Sequence, residues 1–280
     1  MSGRGLSARN GRRRRTGASR TPAAANVARS GVTRSATQQP APGAAPPSTR
    51  IVAIDALRGG AIVAMIAYHF AFDLNWFGVF SADFNREPLW LTLRALIVSS
   101  FLLLVGIGLV LASRAGTPPA RFWRRIALIA ACAVLVSATS YVVFPRSFVT
   151  FGILHCIAVS SVLAWPLVRF PWAALVIGLV SIALGLQVQS AMFDNPWLNW
   201  VGLMTHKPAT EDYVPLLPWF GVVCLGVASG SLLSMRAFAL LRRVGDAAPA
   251  WLVWLGRHSL LVYMLHQPVL LGILRVVLPR

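Results

Sequence analysis

The groups in this chain best suited to acid–base chemistry are three histidines, His69, His155 and His266, each set inside an apolar stretch. An ionisable side chain at membrane depth costs roughly 2.5–3.5 kcal/mol on insertion scales, so its presence there marks function by default. The first stretch, IDALRGGAIVAMIAYHFAFD from Ile54, is the richest, with Asp55, Arg58, His69 and Asp73. Ten residues separate Arg58 from His69. At about 100° per residue, that spacing makes three turns plus roughly 20°, which puts both side chains on one helix face about 16 Å apart along the axis. Asp73 follows His69 at i+4, where its carboxylate would accept a hydrogen bond from the imidazole and fix its tautomer. A base with an orienting partner is what general-base catalysis requires. Asp55, three residues before Arg58, can pair with the guanidinium and hold it. The same residues admit a plainer reading: an interfacial anchor at Arg58, a hydrogen-bonded core histidine and an interface-level aspartate.

Two further segments shift that balance. His155 lies in TFGILHCIAV and His266 in HSLLVYMLHQP, so all three histidines fall in the middle-to-outer part of the bilayer. Ser259, Tyr263 and His266 follow i, i+4, i+7 spacing and form one polar stripe, and Pro268 leaves the Met264 carbonyl without its helical partner. Irregular backbone at that depth is tolerated where it faces protein or a water-filled cavity. One such histidine would read as structural; three at comparable depth read as a site. Zinc or another transition metal suits imidazole ligands, but three ligands on three separate spans carry no local spacing, and no metal is expected. Cys132, Cys156 and Cys224 lie in apolar segments without CxxC spacing and read as small core residues. No GxSxG, GxGxxG or P-loop pattern is present.

These residues must be positioned by membrane helices. Of the 280 residues, 56% are hydrophobic and 12% charged, and the mean hydropathy is +0.66, against roughly 25% charged residues in soluble domains. Candidate spans run at about 56–76, 89–112, 124–144, 150–168, 172–188, 215–235 and 256–276, each near the length needed to cross about 30 Å of hydrocarbon. The expected class is therefore all-α, a polytopic integral membrane protein of about seven transmembrane helices. With the N-terminus inside, 18 lysines and arginines fall on the inner side against 5 on the outer, which argues for N-in, C-out. The net charge of +18 is largely a tail effect, because residues 1–50 hold ten arginines and no acidic residue. Rich in Ala, Ser, Thr, Gly and Pro, that segment is expected to be a disordered cytoplasmic tail that meets anionic lipid and no specific nucleic acid. Residues 51–280 form the transmembrane domain, and no short h-region with a cleavage site precedes it.

The motifs also carry a resemblance. IDALRGGAIVAMIAYH resembles the opening helix of the transmembrane acyltransferase superfamily, whose type-3 branch has an Arg, ten residues, then His. FGILHC at 151–156, DYVPLLPWFGV at 212–222 and LGRHSLLVYMLHQP at 255–268 are similar to a bacterial branch with the catalytic domain of heparan-α-glucosaminide N-acetyltransferase. The likeness covers about residues 50–275 and excludes the tail. It implies transfer of an acetyl or related acyl group from cytoplasmic acyl-coenzyme A, acetyl-CoA in the simplest case, to an amine or hydroxyl of a sugar-type acceptor across the membrane. Under that reading Arg58 and Arg257 meet the coenzyme A phosphates at the inner mouth. His69, with Asp73, deprotonates the acceptor, while His155, His266 and Tyr263 polarise the thioester carbonyl or position the acceptor. Asp212 and Trp219 stand where a carboxylate and an aromatic ring could grip a sugar, or where an interfacial anchor precedes a helix. The chain has fewer spans than the lysosomal enzyme and lacks its long luminal portion. The expected location is the inner (plasma) membrane, with a homo-oligomer left open. The rival reading is a small proton-coupled transporter using the intramembrane histidines, although no paired inverted repeats are visible.

Overall fold

Prolines and glycines set the helix ends. Pro88, Pro119 and Pro171 each open a helix, where the missing N–H costs nothing and φ is already helical. Gly78 and Gly116 sit at positive φ just past two helix ends. There the Val79 and Thr117 N–H groups turn back to the Leu74 and Ala112 carbonyls, a closure that favours glycine. The computed structural model describes residues 51–208, 210, 212–233, 241, 243, 245 and 247–278, all within one compact unit, Pro47–Arg280. The tail expected at residues 1–50 lies outside the described residues.

In chain order the helices are α1 (Val52–Trp76), α2 (Pro88–Arg114), α3 (Pro119–Val143), α4 (Ile153–Ala164), α5 (Pro171–Gln187), α6 (Leu216–Leu232), α7 (Ala250–Arg257) and α8 (Ser259–Val277). Short 3₁₀ turns occupy Pro166–Arg169, Ala191–Asp194 and Asn199–Val201, and no strand is present among the described residues. Four helices, α1, α2, α3 and α8, are long and apolar enough to cross a membrane. At 1.5 Å per residue they measure about 38, 40, 38 and 29 Å. α4, α5 and α6 are equally apolar but run to 12–17 residues. The span expected at 150–168 is shorter because Pro166 and Pro171 lack the N–H that would carry the helix on. The span expected at 256–276 is divided, since α7 ends at Arg257 and α8 resumes at Ser259 across His258, whose ψ is 22°.

Packing proceeds through glycines. α6 lies against both α2 and α5. A Cβ on Gly106 of α2 would collide with the Val223 carbonyl of α6, and one on Gly226 with the Leu103 carbonyl of α2. α1 packs on α7 through Gly59 and Gly256, whose added Cβ atoms would strike the Leu252 and Asp55 carbonyls. Small residues at such contacts let backbones approach where lipid gives no hydrophobic drive for association. The core between these helices gathers Leu102 and Val110 of α2, Cys156 of α4, and Val223 and Val227 of α6, all buried. Outward, Leu128, Val134 and Leu135 on α3 and Leu261, Leu265 and Ile273 on α8 are exposed. An apolar surface of that extent suits lipid contact rather than water. The protein is thus an all-helical membrane protein.

Candidate functional site

The α1–α7 contact fixes one end of the site. Asp55, one turn into α1, is buried, and its Oδ1 lies 3.6 Å from Arg58 Nη1 while its Oδ2 lies 3.5 Å from Arg257 Nε at the end of α7. Both arginines line a cavity of about 350 Å³ together with Arg125 of α3, Ile153 and Ile157 of α4, and Tyr263 of α8. That volume falls within the range of small-molecule sites, at its lower end. Three guanidiniums around a largely apolar hollow make a receptor for an elongated anion, since each fork of N–H donors can hold a phosphate bidentately. The sequence reading placed Arg58 and Arg257 here. It missed Arg125, which stands in RFWRRI and reads from sequence as one more inner-side anchor.

Tyr263, which lines the cavity, begins a line of polar groups. Its hydroxyl donates to Asp212 Oδ2 at 2.8 Å, and its ring lies 5.5 Å from that of His266, which lies 5.0 Å from that of His69. Asp212 also accepts from the Ile153 N–H at the start of α4, where the helix dipole favours an anion. Burial pushes the Asp212 carboxyl up from the usual aspartate range, and the Tyr263 and Ile153 hydrogen bonds draw it part of the way back. α1, α8, the α5–α6 segment and the α4 N-terminus thereby bring His69, His266, Tyr263 and Asp212 together.

The hydrogen bonds distinguish the histidines. His266 Nδ1 is 2.6 Å from the Tyr263 carbonyl oxygen. A carbonyl can only accept, so Nδ1 carries the proton and Nε2 the lone pair. That Nε2 is buried and without a hydrogen-bond partner. His155 holds the opposite tautomer: the Gly152 N–H donates to its Nδ1 at 3.2 Å, leaving the proton on Nε2, 3.5 Å from Ser137 Oγ. Ser137 spends its own proton on the Val149 carbonyl. His155 is therefore a donor woven into the start of α4, whereas His266 presents a base. His69 is held by ring packing against His266 and Tyr68.

Asp73 is not the orienter of His69. Its Oδ1 accepts from Gln267 Nε2 of α8 at 2.8 Å, and its Oδ2 has no hydrogen-bond partner. The i+4 spacing allowed a bond to His69, but the Asp73 carboxylate is taken by an amide donor on a second helix. Gln267, next to His266, was missed by the sequence reading, although an amide inside an apolar helix was a usable signal. Trp219 packs against the apolar core and is not among the cavity-lining residues. The Tyr213 hydroxyl is taken by the Asn199 carbonyl. Among the described residues no group of His, Cys, Asp and Glu forms a metal-binding cluster.

The family model described as heparan-alpha-glucosaminide N-acetyltransferase, catalytic, matches residues 50–268. No curated protein and no solved structure matches the chain. A match that spans helices α1 to α8 as far as Pro268 takes in every residue of the site just described, and on it the chain belongs to the heparan-alpha-glucosaminide N-acetyltransferase catalytic-domain family, acetyltransferases of the membrane type.

Proposed function

We propose that the protein transfers an acetyl group from acetyl-coenzyme A to an amine or hydroxyl of a sugar-type acceptor. The observation that carries this reading is a cavity lined by Arg58, Arg125, Arg257 and Tyr263, with Tyr263 one α8 turn from His266 and its unpartnered Nε2. The donor phosphates sit at Arg58, Arg125 and Arg257, and the thioester arm runs toward Tyr263. His266 Nε2 takes a proton from the acceptor N–H or O–H as its heteroatom attacks the thioester carbon. The new C–N or C–O bond forms, the C–S bond breaks, and the proton passes to the departing thiolate. The Tyr263 carbonyl, holding Nδ1–H, steadies the imidazolium formed in between. Because the Tyr263 O–H already donates to Asp212, its oxygen serves the substrate as an acceptor. This assigns the base to His266 and leaves His69 as its ring partner.

Donor from the cytoplasmic side and acceptor from the opposite side fit the excess of inner-side arginine and lysine. The reading takes the membrane to be the inner (plasma) membrane, with the arginines of residues 1–50 giving the tail affinity for anionic lipid. The test is acceptor-dependent release of free thiol from acetyl-coenzyme A by protein in nanodiscs, with a panel of amino sugars and neutral sugars. Acetylated product from the wild type and none from His266→Ala, with donor binding retained, is the expected result. Thiol release that His266→Ala leaves unchanged would remove the mechanism.

A further inference from the structure

Asp55 has the geometry of a bracket. One carboxylate oxygen faces a guanidinium of α1 and the other a guanidinium of α7, at 3.6 and 3.5 Å. The Asp55 side chain is 4% exposed, while Arg58 and Arg257 remain 19% and 47% exposed and line the cavity. The Asp55 carbonyl lies so close to Gly256 that a Cβ there would collide with it, so α1 and α7 meet backbone to backbone at this bracket.

We infer that Asp55 is a positioning residue that holds Arg58 and Arg257, across the α1–α7 contact, as a preset receptor for the phosphates of the acyl donor. The inference rests on the donor reading given above. An arginine side chain is long and rotamer-rich, so ordering it when the ligand arrives reduces affinity. Asp55 lies within ion-pair distance of one side of each guanidinium, and both arginines still line the cavity where a phosphate could meet their planar forks. It also offsets the repulsion of two cations brought together by a glycine-to-glycine contact. Arg125, on α3, has no carboxylate partner among the described salt bridges and supplies a third cation that this bracket does not hold. A competing role would give the opposite sign: a carboxylate that blocks the site would repel phosphate, and its removal would tighten binding.

The experiment compares acetyl-coenzyme A with S-acetylpantetheine, which has the thioester arm and no phosphate, as donors to D-glucosamine, using the full chain in nanodiscs. Asp55→Asn keeps the shape and removes the charge. Loss of the ordering of two charge-assisted contacts should raise KM for acetyl-coenzyme A about tenfold to thirtyfold. kcat should stay within about twofold, as should KM for S-acetylpantetheine. Asp55→Glu should restore part of the affinity for acetyl-coenzyme A. An equal rise in KM for both donors would make Asp55 a packing residue and overturn the inference. An unchanged or lower KM for acetyl-coenzyme A would overturn it as well. Arg58→Ala separates the two levels: if it too leaves KM for acetyl-coenzyme A unchanged, the donor reading falls and the bracket with it.

Discussion

Replacing His266 and His155 in turn by alanine separates the two tautomers. In His266→Ala the lone pair at Nε2 disappears, along with the Nδ1–H bond to the Tyr263 carbonyl. General-base catalysis contributes about 10²- to 10⁴-fold, so turnover should fall by that factor, or about 3–5 kcal/mol of barrier. In His155→Ala the proton acceptor for the Gly152 N–H and the long contact to Ser137 are lost. That change should cost about 1 kcal/mol of stability, as expected for one hydrogen bond at a helix start. It leaves the base intact, and kcat should drop less than about tenfold. The assay is thiol release at saturating acetyl-coenzyme A, with thermal unfolding and donor binding measured on the same preparations. A His266→Ala variant that keeps more than about a tenth of wild-type turnover would refute the tautomer argument, because that loss is too small for a missing base. So would a folded His155→Ala variant that loses as much as His266→Ala.

Three other outcomes follow from the same contacts. Gly256→Ala drives a Cβ into the Asp55 carbonyl, so thermal unfolding should show a loss of about 1–3 kcal/mol or more from overpacking, with weakened donor binding. Asp212→Asn keeps a partner for Tyr263 and removes a carboxyl whose folded-state pKa burial has raised. A raised pKa gives stability that is complete below the unfolded value, about 3.9, and is lost as pH rises through the folded one. The variant should therefore gain on wild type in unfolding temperature as pH rises, and a constant difference would count against the shift. Asp194 is the reverse case: the Thr205 hydroxyl and the backbone N–H groups of Thr205 and His206 hold its carboxyl below the usual range. Its support for the 190–205 loop is present at neutral pH and lost as pH falls through the depressed value, which should appear as lower amide protection factors at Thr205 and His206 on acidification, once the slower intrinsic exchange at acid pH is divided out.

What the sequence made legible was local. The long helix that carries both Arg58 and His69 was legible as an apolar stretch, as were the others, from composition and length. Convergence was not legible, since which helices meet is set by pairs such as Gly59 with Gly256 and Gly106 with Gly226, which are distant in the chain and carry no pairing signal. Asp73 illustrates the limit: i+4 spacing places it beside His69, but Gln267 on another helix takes its carboxylate. Arg125 was hidden for a different reason, because a cluster of arginines at a helix start serves equally as an inner-side anchor and as a cavity wall. The tautomers of His155 and His266 depended on the Gly152 N–H and the Tyr263 carbonyl, backbone groups whose direction no side-chain pattern encodes. The short α4 was readable in part, since Pro166 and Pro171 both lie inside or beside the span that length alone suggested.

The most direct test of the central claim is calorimetric titration of coenzyme A into the purified full-length protein, at fixed ionic strength, against Arg125→Ala and Arg58→Ala. The account predicts saturable binding to the wild type, weakened by about 10- to 100-fold in each variant, the loss expected for a charge-assisted phosphate contact. Well-folded protein that binds no coenzyme A, or binds it equally well without Arg125 and Arg58, would contradict the arginine-lined cavity as the donor site.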